Sequence, residues 1–372
     1  MISSESSDDE LVTARERLNA SKNVGKDSRR AARTSSRALI GQKRSSAAPD
    51  PPPIEKQPRV DAKGTTGRAY TLSLALPGSI LDNAQTKELA TYVAGQVARA
   101  ATIFQVDEIV VFEDALGACP KPPHARGRDA CVVLARILQY LETPQYLRRQ
   151  LFPLHPELAD AGLLNPLDAP HHVRAQEWSL YREGVVTTRP RKENDGALID
   201  VGLQRPVAVP QRIQPGVRVT VKLDETVKDG KKKSVTGHLV SCAEPREVLG
   251  LYWGYTTRRA SSLRHVWTEC PFPGGYDVKI GTSERGDVSV DEPTFRVPPF
   301  RHALVVVGGV AGIEACVDAD ETLAVSGEDA RTLFDLWLNT CPQQGSRTIR
   351  SEEALLISLA ALRPHFARNQ LP

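Results

Sequence analysis

Residues 339–362 read NTCPQQGSRTIRSEEALLISLAAL. A polar, turn-forming loop ends abruptly here and an apolar helix begins, with Arg347, Arg350, Glu352 and Glu353 at the junction. A loop that runs into a helix N-terminus offers unpaired backbone N–H groups and the positive end of the helix dipole. The junction is therefore predicted to be a binding site, and its two arginines favour an anionic partner.

The composition is that of a soluble globular protein. The chain has 372 residues, of which 40% are hydrophobic and 25% charged, and this length allows two or three domains. The polar N-terminus and the absence of a long apolar run predict neither a secretory signal nor a membrane span. Six scattered cysteines form no C-x-x-C pair, which predicts reduced thiols, no metal site, and a nuclear, nucleolar or cytoplasmic protein.

The positive charge lies in the N-terminal segment. Residues 1–68 hold 14 Lys and Arg against 9 Asp and Glu, a net charge of +5, whereas the remainder holds 34 against 36, a net charge of −2. This Ser-, Pro- and Lys-rich segment has poor hydrophobic periodicity and is predicted to be a disordered basic tail. It would either attract nucleic acid or serve as a solvated arm, and its basic pairs resemble a weak nuclear localisation signal.

The ordered part begins as a β-α-β unit. Residues 70–76 and 107–112 are β-prone strands, and the helical spacing of apolar residues over 86–104 predicts the helix between them. Further helices are predicted over 130–141 and 144–151. Strands that alternate with helices in this way predict a parallel sheet.

The sequence pattern changes between residues 182 and 247. Short β-prone runs at 184–188, 196–201, 217–223 and 234–240, separated by turn residues, predict a small β-barrel. Residues 196–202 resemble a strand of the S1-like and other OB-fold RNA-binding barrels. Lys231–Lys233 lies in a predicted hairpin turn that either contacts phosphate or is merely solvated. Strands predicted at 276–283, 303–309 and 333–339 then resume the α/β pattern, so the barrel interrupts one domain made of 69–181 and 248–372.

Three loops follow these last three strands: residues 281–286, 308–314 and 339–350. Ligands of open parallel sheets bind outside the carboxyl ends of the strands, and glycines there let the backbone approach a ligand closely. The chain lacks G-x-G-x-x-G, a P-loop and a G-x-S-x-G elbow, which disfavours dinucleotide, nucleotide-phosphate and α/β-hydrolase sites.

The segment Gly345–Ala354 resembles the G-x-R-x-L-R-x-E-T-A motif of SPOUT methyltransferases, specifically the bacterial rRNA uridine-N3 methyltransferases. The glycine, both arginines, Glu352 and Ala354 match. The loop at Gly308-Gly309 resembles the second cofactor loop of that family but lacks its I-G-P-E-G-G sequence.

Three further stretches (76–85, 162–172 and 281–286) resemble the eukaryotic and archaeal SPOUT-domain RNA methyltransferases of the centromere protein 32 family. This resemblance covers about residues 69–363. It implies an α/β trefoil knot that binds S-adenosylmethionine, an inserted OB-like barrel and an obligate homodimer whose active sites straddle the interface.

The resemblance also implies roles for individual residues. The cofactor would be held by the three glycine-bearing loops, through Gly281, Thr282, Ser283, Gly308, Gly309, Gly312, Thr340, Gly345, Ser346, Thr348 and Ile349. Arg347 and Arg350 would bind RNA or stabilise charge on the target base, unless they pair with Glu352 or Glu353 to brace the knot. Glu284 and Arg285 would act in catalysis across the dimer or form a local salt bridge. Asn83, His171 and His172 are the candidate substrate contacts, with capping or packing as the alternative.

The function that this resemblance implies is S-adenosylmethionine-dependent methylation of RNA. Ribosomal RNA is the expected substrate and uridine N3 the expected atom. The alternative is a non-catalytic RNA-binding or mitotic-spindle and centromere-associated scaffold that retains the fold, in which the tail and the barrel would do the binding.

Overall fold

The computed structural model of the protein describes residues 67–114, 127–189, 196–224 and 235–369. The predicted disordered tail, up to residue 66, and the Lys231–Lys233 turn lie outside these residues.

A seven-stranded sheet forms the centre of the larger domain. Its strand order is β10-β12-β9-β11-β1-β2-β8, and every pair of neighbours is parallel. The strands are β1 (Thr71–Pro77), β2 (Glu108–Phe112), β8 (Thr256–Ala260), β9 (Val278–Thr282), β10 (Val288–Ser289), β11 (His302–Val307) and β12 (Leu336–Asn339).

Helices cover both faces of this sheet, and none of the described ones is long and apolar enough to cross a membrane. Thr86 caps the first helix by accepting a hydrogen bond from the Leu89 amide, and Asp129 caps the second through the Val132 amide. The helices are α1 (Lys87–Ile103), α2 (Ala130–Glu142), α3 (Gln145–Leu151), α4 (Glu244–Leu249), α5 (Leu263–Thr268), α6 (Gly312–Asp318) and α7 (Ser351–Ala367).

The sequence of β1 shows why the sheet needs two covered faces. All seven of its residues are buried. Leu72, Leu74 and Leu76 point into the apolar cluster beneath α1, α2 and α7, whereas Ala75 belongs to the cluster beneath α5 and α6. Alternate residues of a strand face opposite sides, so a parallel strand between two helical layers is buried throughout.

A closed five-stranded barrel is inserted into this domain, in the order β3-β4-β5-β7-β6. Its interior is filled by aliphatic side chains such as Ile199, Val207 and Val221. The predicted fold class, an α/β domain with an inserted barrel, is confirmed, and we keep 182–247 as the proposed bounds of the insertion. The barrel strands are β3 (Tyr181–Val186), β4 (Ala197–Asp200), β5 (Val207–Val209), β6 (Arg218–Leu223) and β7 (Val235–Val240).

The structure differs from the sequence predictions mainly in short elements. The predicted strand over 333–339 starts only at Leu336, because residues 327–333 form a 3-10 helix. The strands β5, β8 and β10 and the helices α4 and α6 were not predicted. Each spans seven residues or fewer, and β8 reads Thr-Thr-Arg-Arg-Ala, without the apolar alternation that identifies a strand.

The chain crosses itself beside β12. This strand lies between β9 and β10, which are joined by only five residues, 283–287. The short connection passes over the carboxyl end of β12, where the Ser283 amide donates to the Leu338 carbonyl at 3.0 Å. Residues after β12 must therefore pass this connection to reach α7. The trefoil knot that the resemblance implies stays a prediction.

Candidate functional site

A cavity of about 320 Å³ opens at the carboxyl ends of β9, β11 and β12. These strands are neighbours in the sheet, so the prediction that their three loops share one edge is confirmed. The predicted site residues that line the cavity are Thr282, Ser283, Glu284, Arg285, Gly308, Gly309, Gly312, Thr340, Thr348 and Ile349.

Glycines form the wall that follows β11. A Cβ atom on Gly308 would overlap the carbonyl carbon of Gly312 and the amide nitrogen of Ile313. Gly312 has a φ of +85°, which side-chain-bearing residues rarely adopt, and its amide donates to the Gly309 carbonyl at 3.1 Å. The loop is therefore a tight turn that only glycine permits, and it leaves backbone exposed towards the cavity.

Polar side chains fix the other walls. The Ser283 hydroxyl donates to Glu314 Oε1 at 3.0 Å, and the Thr282 hydroxyl donates to the Val306 carbonyl at 3.0 Å. Thr340 and the buried Ser358 share a hydroxyl–hydroxyl bond of 2.8 Å. These bonds hold hydroxyl and carboxylate groups against the cavity, where they suit a ligand rich in hydroxyl and amino groups.

The loop before α7 and the first turns of α7 supply the apolar wall, through Ile349 on the loop and Ala354 and Ile357 on the helix. The backbone amide of Arg350 donates to the Glu353 carboxylate at 3.1 Å, which caps the helix start. The predicted loop-to-helix junction thus lies against the cavity, and its apolar surface suits an aromatic ring.

The charged candidates stand at the rim. Glu284 and Arg285 line the cavity with exposed side chains, whereas Arg347 and Arg350 are exposed but do not line it. None of the four forms an ion pair with another residue that the structure describes. The structure therefore shows neither a salt bridge between Glu284 and Arg285 nor arginine side chains that pair with Glu352 or Glu353. The four charged side chains face solvent.

Three predicted cofactor residues do not line the cavity: Gly281, Gly345 and Ser346. Gly281 instead packs against the ring of Trp337, which a Cβ would approach to 2.5 Å. The Ser346 hydroxyl donates to the Thr348 carbonyl at 2.8 Å, so it shapes the loop. Gly281 is therefore buried behind the cavity, whereas Gly345 and Ser346 are exposed on the loop outside it.

The predicted substrate contacts are not brought to the cavity. Asn83 is exposed at the end of the 3-10 helix after β1, at the same edge of the sheet. His171 is fully buried, and its Nε2 lies 2.8 Å from the Glu142 carbonyl and 3.0 Å from Glu142 Oε1. Burial, together with His171, lowers the pKa of His172 to about 4. The histidine pair packs between α2 and the barrel, which matches the packing alternative.

Sequence reasoning missed several residues of the cavity, among them Glu314, Asn339, Ile357 and Ser358. Glu314 ended the predicted glycine loop 308–314, and a carboxylate in that loop was a usable signal; the structure places it in the first turn of α6. Ile357 and Ser358 had none, because a helical period shows which residues share a face but not which neighbour that face meets.

A family comparison agrees with this geometry. The family described as "Putative RNA methyltransferase" matches residues 71–362, from β1 to α7. The chain belongs to this family. The match includes the barrel and all three loops of the RNA methyltransferase cavity.

Individual relatives give the same result. The chain is 55% identical over 308 residues to the 28S rRNA (uridine-N(3))-methyltransferase of Mus musculus, covering 81% of this chain and 78% of that protein. It is 53% identical over 317 residues to the Homo sapiens protein of the same name, covering 84% and 82%. Among solved structures, the SpoU methyltransferase AviRb from Streptomyces viridochromogenes, in complex with the cofactor AdoMet, matches 84% of this chain and 64% of its own at 11% identity and a TM-score of 0.30.

Proposed function

We propose that this RNA methyltransferase uses S-adenosylmethionine to methylate N3 of a uridine in large-subunit ribosomal RNA. The observation that carries the proposal is the glycine-walled cavity beside the Gly345–Ala354 motif. The printed function of the mouse and human relatives supports the substrate and the atom.

The residues of the cavity fit the cofactor. Its volume of about 320 Å³ is at the lower end of the range for small-molecule sites. The backbone at Gly308 and Gly309 would hold polar edges of the ligand, and Ile349 and Ile357 would pack against the adenine. Glu314 and Ser358 would accept hydrogen bonds from hydroxyl or amino groups. When bound, S-adenosylmethionine supplies the methyl group.

The rim residues would act on the RNA. Arg347 and Arg350 are exposed and unpaired among the described residues, so they would bind phosphate or stabilise negative charge on a uracil carbonyl. Glu284 and Arg285 lie closer to the cavity and would orient the target base. The barrel would add a second RNA-binding surface, and a nuclear or nucleolar location would suit this substrate.

We also propose a homodimer, and exposed apolar side chains on two adjoining helices support it. Leu89 and Tyr92 on α1 are 48% and 53% exposed, and Leu356 on α7 is 45% exposed. The two helices pack against each other beside the cavity. Light scattering of the full chain at micromolar concentration should give twice the mass of one chain, and a monomeric mass would contradict the dimer.

Filling the cavity should abolish cofactor binding. Ala354 lies on the cavity wall, and a phenylalanine there would occupy ligand space. We expect Ala354→Phe to weaken binding of S-adenosylhomocysteine at least tenfold by calorimetry, and to remove 3-methyluridine formation on ribosomal RNA by nucleoside mass spectrometry. Ala360→Phe is the matched control, since Ala360 is exposed on the same helix. Equal affinity for the two variants, or a wild type that binds no cofactor, would contradict the proposed function.

A further inference from the structure

Asp114 is an exception among the buried acidic residues. Five carboxylates are buried in the described part of the chain, and four of them bind an arginine or backbone amides. The four are Glu108 with Arg258, Glu142 and Glu183 with Arg218, and Asp320 with the amides of Arg264 and Thr322. Asp114 is 4% exposed, accepts a hydrogen bond from the Ser79 hydroxyl, and forms no ion pair with any described residue.

The pair Ser79–Asp114 lies next to Gly309, a residue of the cavity wall. Ser79 follows β1, Asp114 follows β2 and Gly309 follows β11, and these are neighbouring strands. A Cβ built on Gly309 would lie 3.2 Å from Ser79 Oγ and 3.4 Å from Asp114 Oδ2. Gly309 itself lines the cavity, so the carboxylate lies within reach of the space that the missing side chain of this glycine leaves open.

The surroundings of Asp114 favour its protonated form. Burial raises the pKa of this carboxyl, the Ser79 hydrogen bond opposes that rise, and the charges of Glu113 and Asp82 add to it. Burial raises the pKa of the Cys316 thiol on α6, and the charge of Asp114 adds to that rise. A buried carboxylate that lacks a salt bridge costs stability even when a hydroxyl donates to it, and carboxyls whose pKa is shifted in this way concentrate at functional sites.

We propose that Asp114 is the catalytic residue that accepts the proton from N3 of the target uridine, an inference that rests on the proposed function. The N3–H bond breaks and its proton goes to the Asp114 carboxylate. The nitrogen electron pair then forms the bond to the methyl carbon, while the carbon–sulfur bond breaks and its pair stays on sulfur. The products are N3-methyluridine, S-adenosylhomocysteine and protonated Asp114, which returns the proton to water.

This assignment explains why the carboxylate is held beside Gly309 with no cation among the residues that the structure describes. A salt bridge would stabilise the charged form and make the carboxylate a poorer base, whereas burial brings its pKa closer to the working pH. The Ser79 hydroxyl is a positioning group, because its hydrogen bond fixes the carboxylate while leaving it able to accept a proton.

Single-turnover methylation of a ribosomal RNA fragment at a series of pH values tests the assignment. We expect Asp114→Asn to bind S-adenosylhomocysteine within about twofold of the wild type and to lose about 10²–10⁴-fold in rate. Ser79→Ala should stay active, with the acid limb of its pH–rate profile moved to higher pH because a bond that lowers the pKa of Asp114 is gone. Glu113→Gln makes the same chemical change at the exposed neighbour and is the matched control for the rate, which should stay at the wild-type level at neutral pH. Its acid limb should move to lower pH, because a charge that raises the pKa of Asp114 is gone.

Failure of the proposed function and failure of the Asp114 assignment give different results in these experiments. A wild type that binds cofactor but methylates no uridine overturns the proposed function and this inference with it. An Asp114→Asn variant within threefold of the wild-type rate overturns the inference alone. If Asp114→Asn does not fold, Ser79→Ala decides. A lowered melting temperature of Ser79→Ala with an unmoved pH–rate profile would show that the pair only joins the ends of β1 and β2, and would overturn the proposal.

Discussion

Replacing Arg218 by methionine is expected to lower the free energy of unfolding by about 3–5 kcal/mol, because it leaves two buried carboxylates without their cation. Arg218 Nε donates to Glu183 Oε2 at 2.7 Å, and its terminal nitrogens donate to the two oxygens of Glu142 at 2.6 and 2.9 Å. The side chains of Glu142 and Glu183 are only 8% and 5% exposed.

This network joins the barrel to the α/β domain. Glu142 ends α2, whereas Glu183 and Arg218 lie on β3 and β6 of the barrel. Trp253, just after the barrel, donates its indole N–H to Glu183 Oε1 at 2.7 Å. His171 contacts Glu142 from the segment before the barrel. Loss of Arg218 should therefore loosen the barrel as well as destabilise the chain.

The pH dependence of stability should change in the same variant. Burial acts to raise the pKa of Glu142, but Arg218 and His171 outweigh it and lower the pKa from 4.5 to about 2. Such a group stabilises the fold fully above pH 4.5, and the contribution is lost as pH falls towards 2. In Arg218→Met the loss of stability on acidification should shrink or reverse, because burial then favours the protonated carboxyl of Glu142 in the folded state.

Urea unfolding of both proteins between pH 3 and pH 7 measures these effects. Lys222→Met is the matched control, since Lys222 lies on the same strand and its salt bridge with Glu244 is more exposed, at 41% and 26% of the two side chains. We expect that control to change the free energy of unfolding by no more than about 1 kcal/mol. An Arg218→Met variant as stable as the control, with an unchanged pH profile, would show that the network does not hold the two domains together.

The fold was predictable where local pattern and burial agree. Residues 70–76 and 303–309 are apolar strands that the structure places side by side at the centre of the sheet. The barrel was recognisable from its short β-prone runs. By contrast, β8 lies at the edge of the sheet with only Ala260 buried, so its sequence did not need the apolar residues that a prediction detects.

The candidate site was predictable from loops but not from packing. Parallel strands bring their carboxyl ends to one edge, so the three glycine-bearing loops could be placed together before the structure was known. Asp114 and Ser79 could not be placed there, because their significance depends on β1 lying between β2 and β11. The pairing of β1 with β11 joins Thr71 to His302, which is 231 residues further along the chain. His171 was misleading for the same reason, since only the structure shows its burial against Glu142.

Gly308→Ala should disable the cofactor cavity, although it adds a single methyl group. That carbon would overlap the backbone of Gly312 and Ile313, and neither backbone can rotate away as a side chain would. Overpacking of this kind typically costs about 1–3 kcal/mol. The loop can relieve this overlap by shifting out of its binding geometry. The affinity for S-adenosylhomocysteine should then fall by roughly fivefold to 150-fold, because about 1.4 kcal/mol corresponds to a factor of ten.

Gly345→Ala is the matched control for this change. Gly345 belongs to the motif that identified the family, but a Cβ there meets no atom within 4 Å. Calorimetry should therefore find cofactor affinity within about twofold of the wild type for Gly345→Ala, and a strong loss for Gly308→Ala. The opposite order would mean that the ligand approaches the loop at Gly345 rather than the turn after β11, and the cavity described here would not be the cofactor site. Similar losses in both variants would instead show that the two loops move together when the ligand binds.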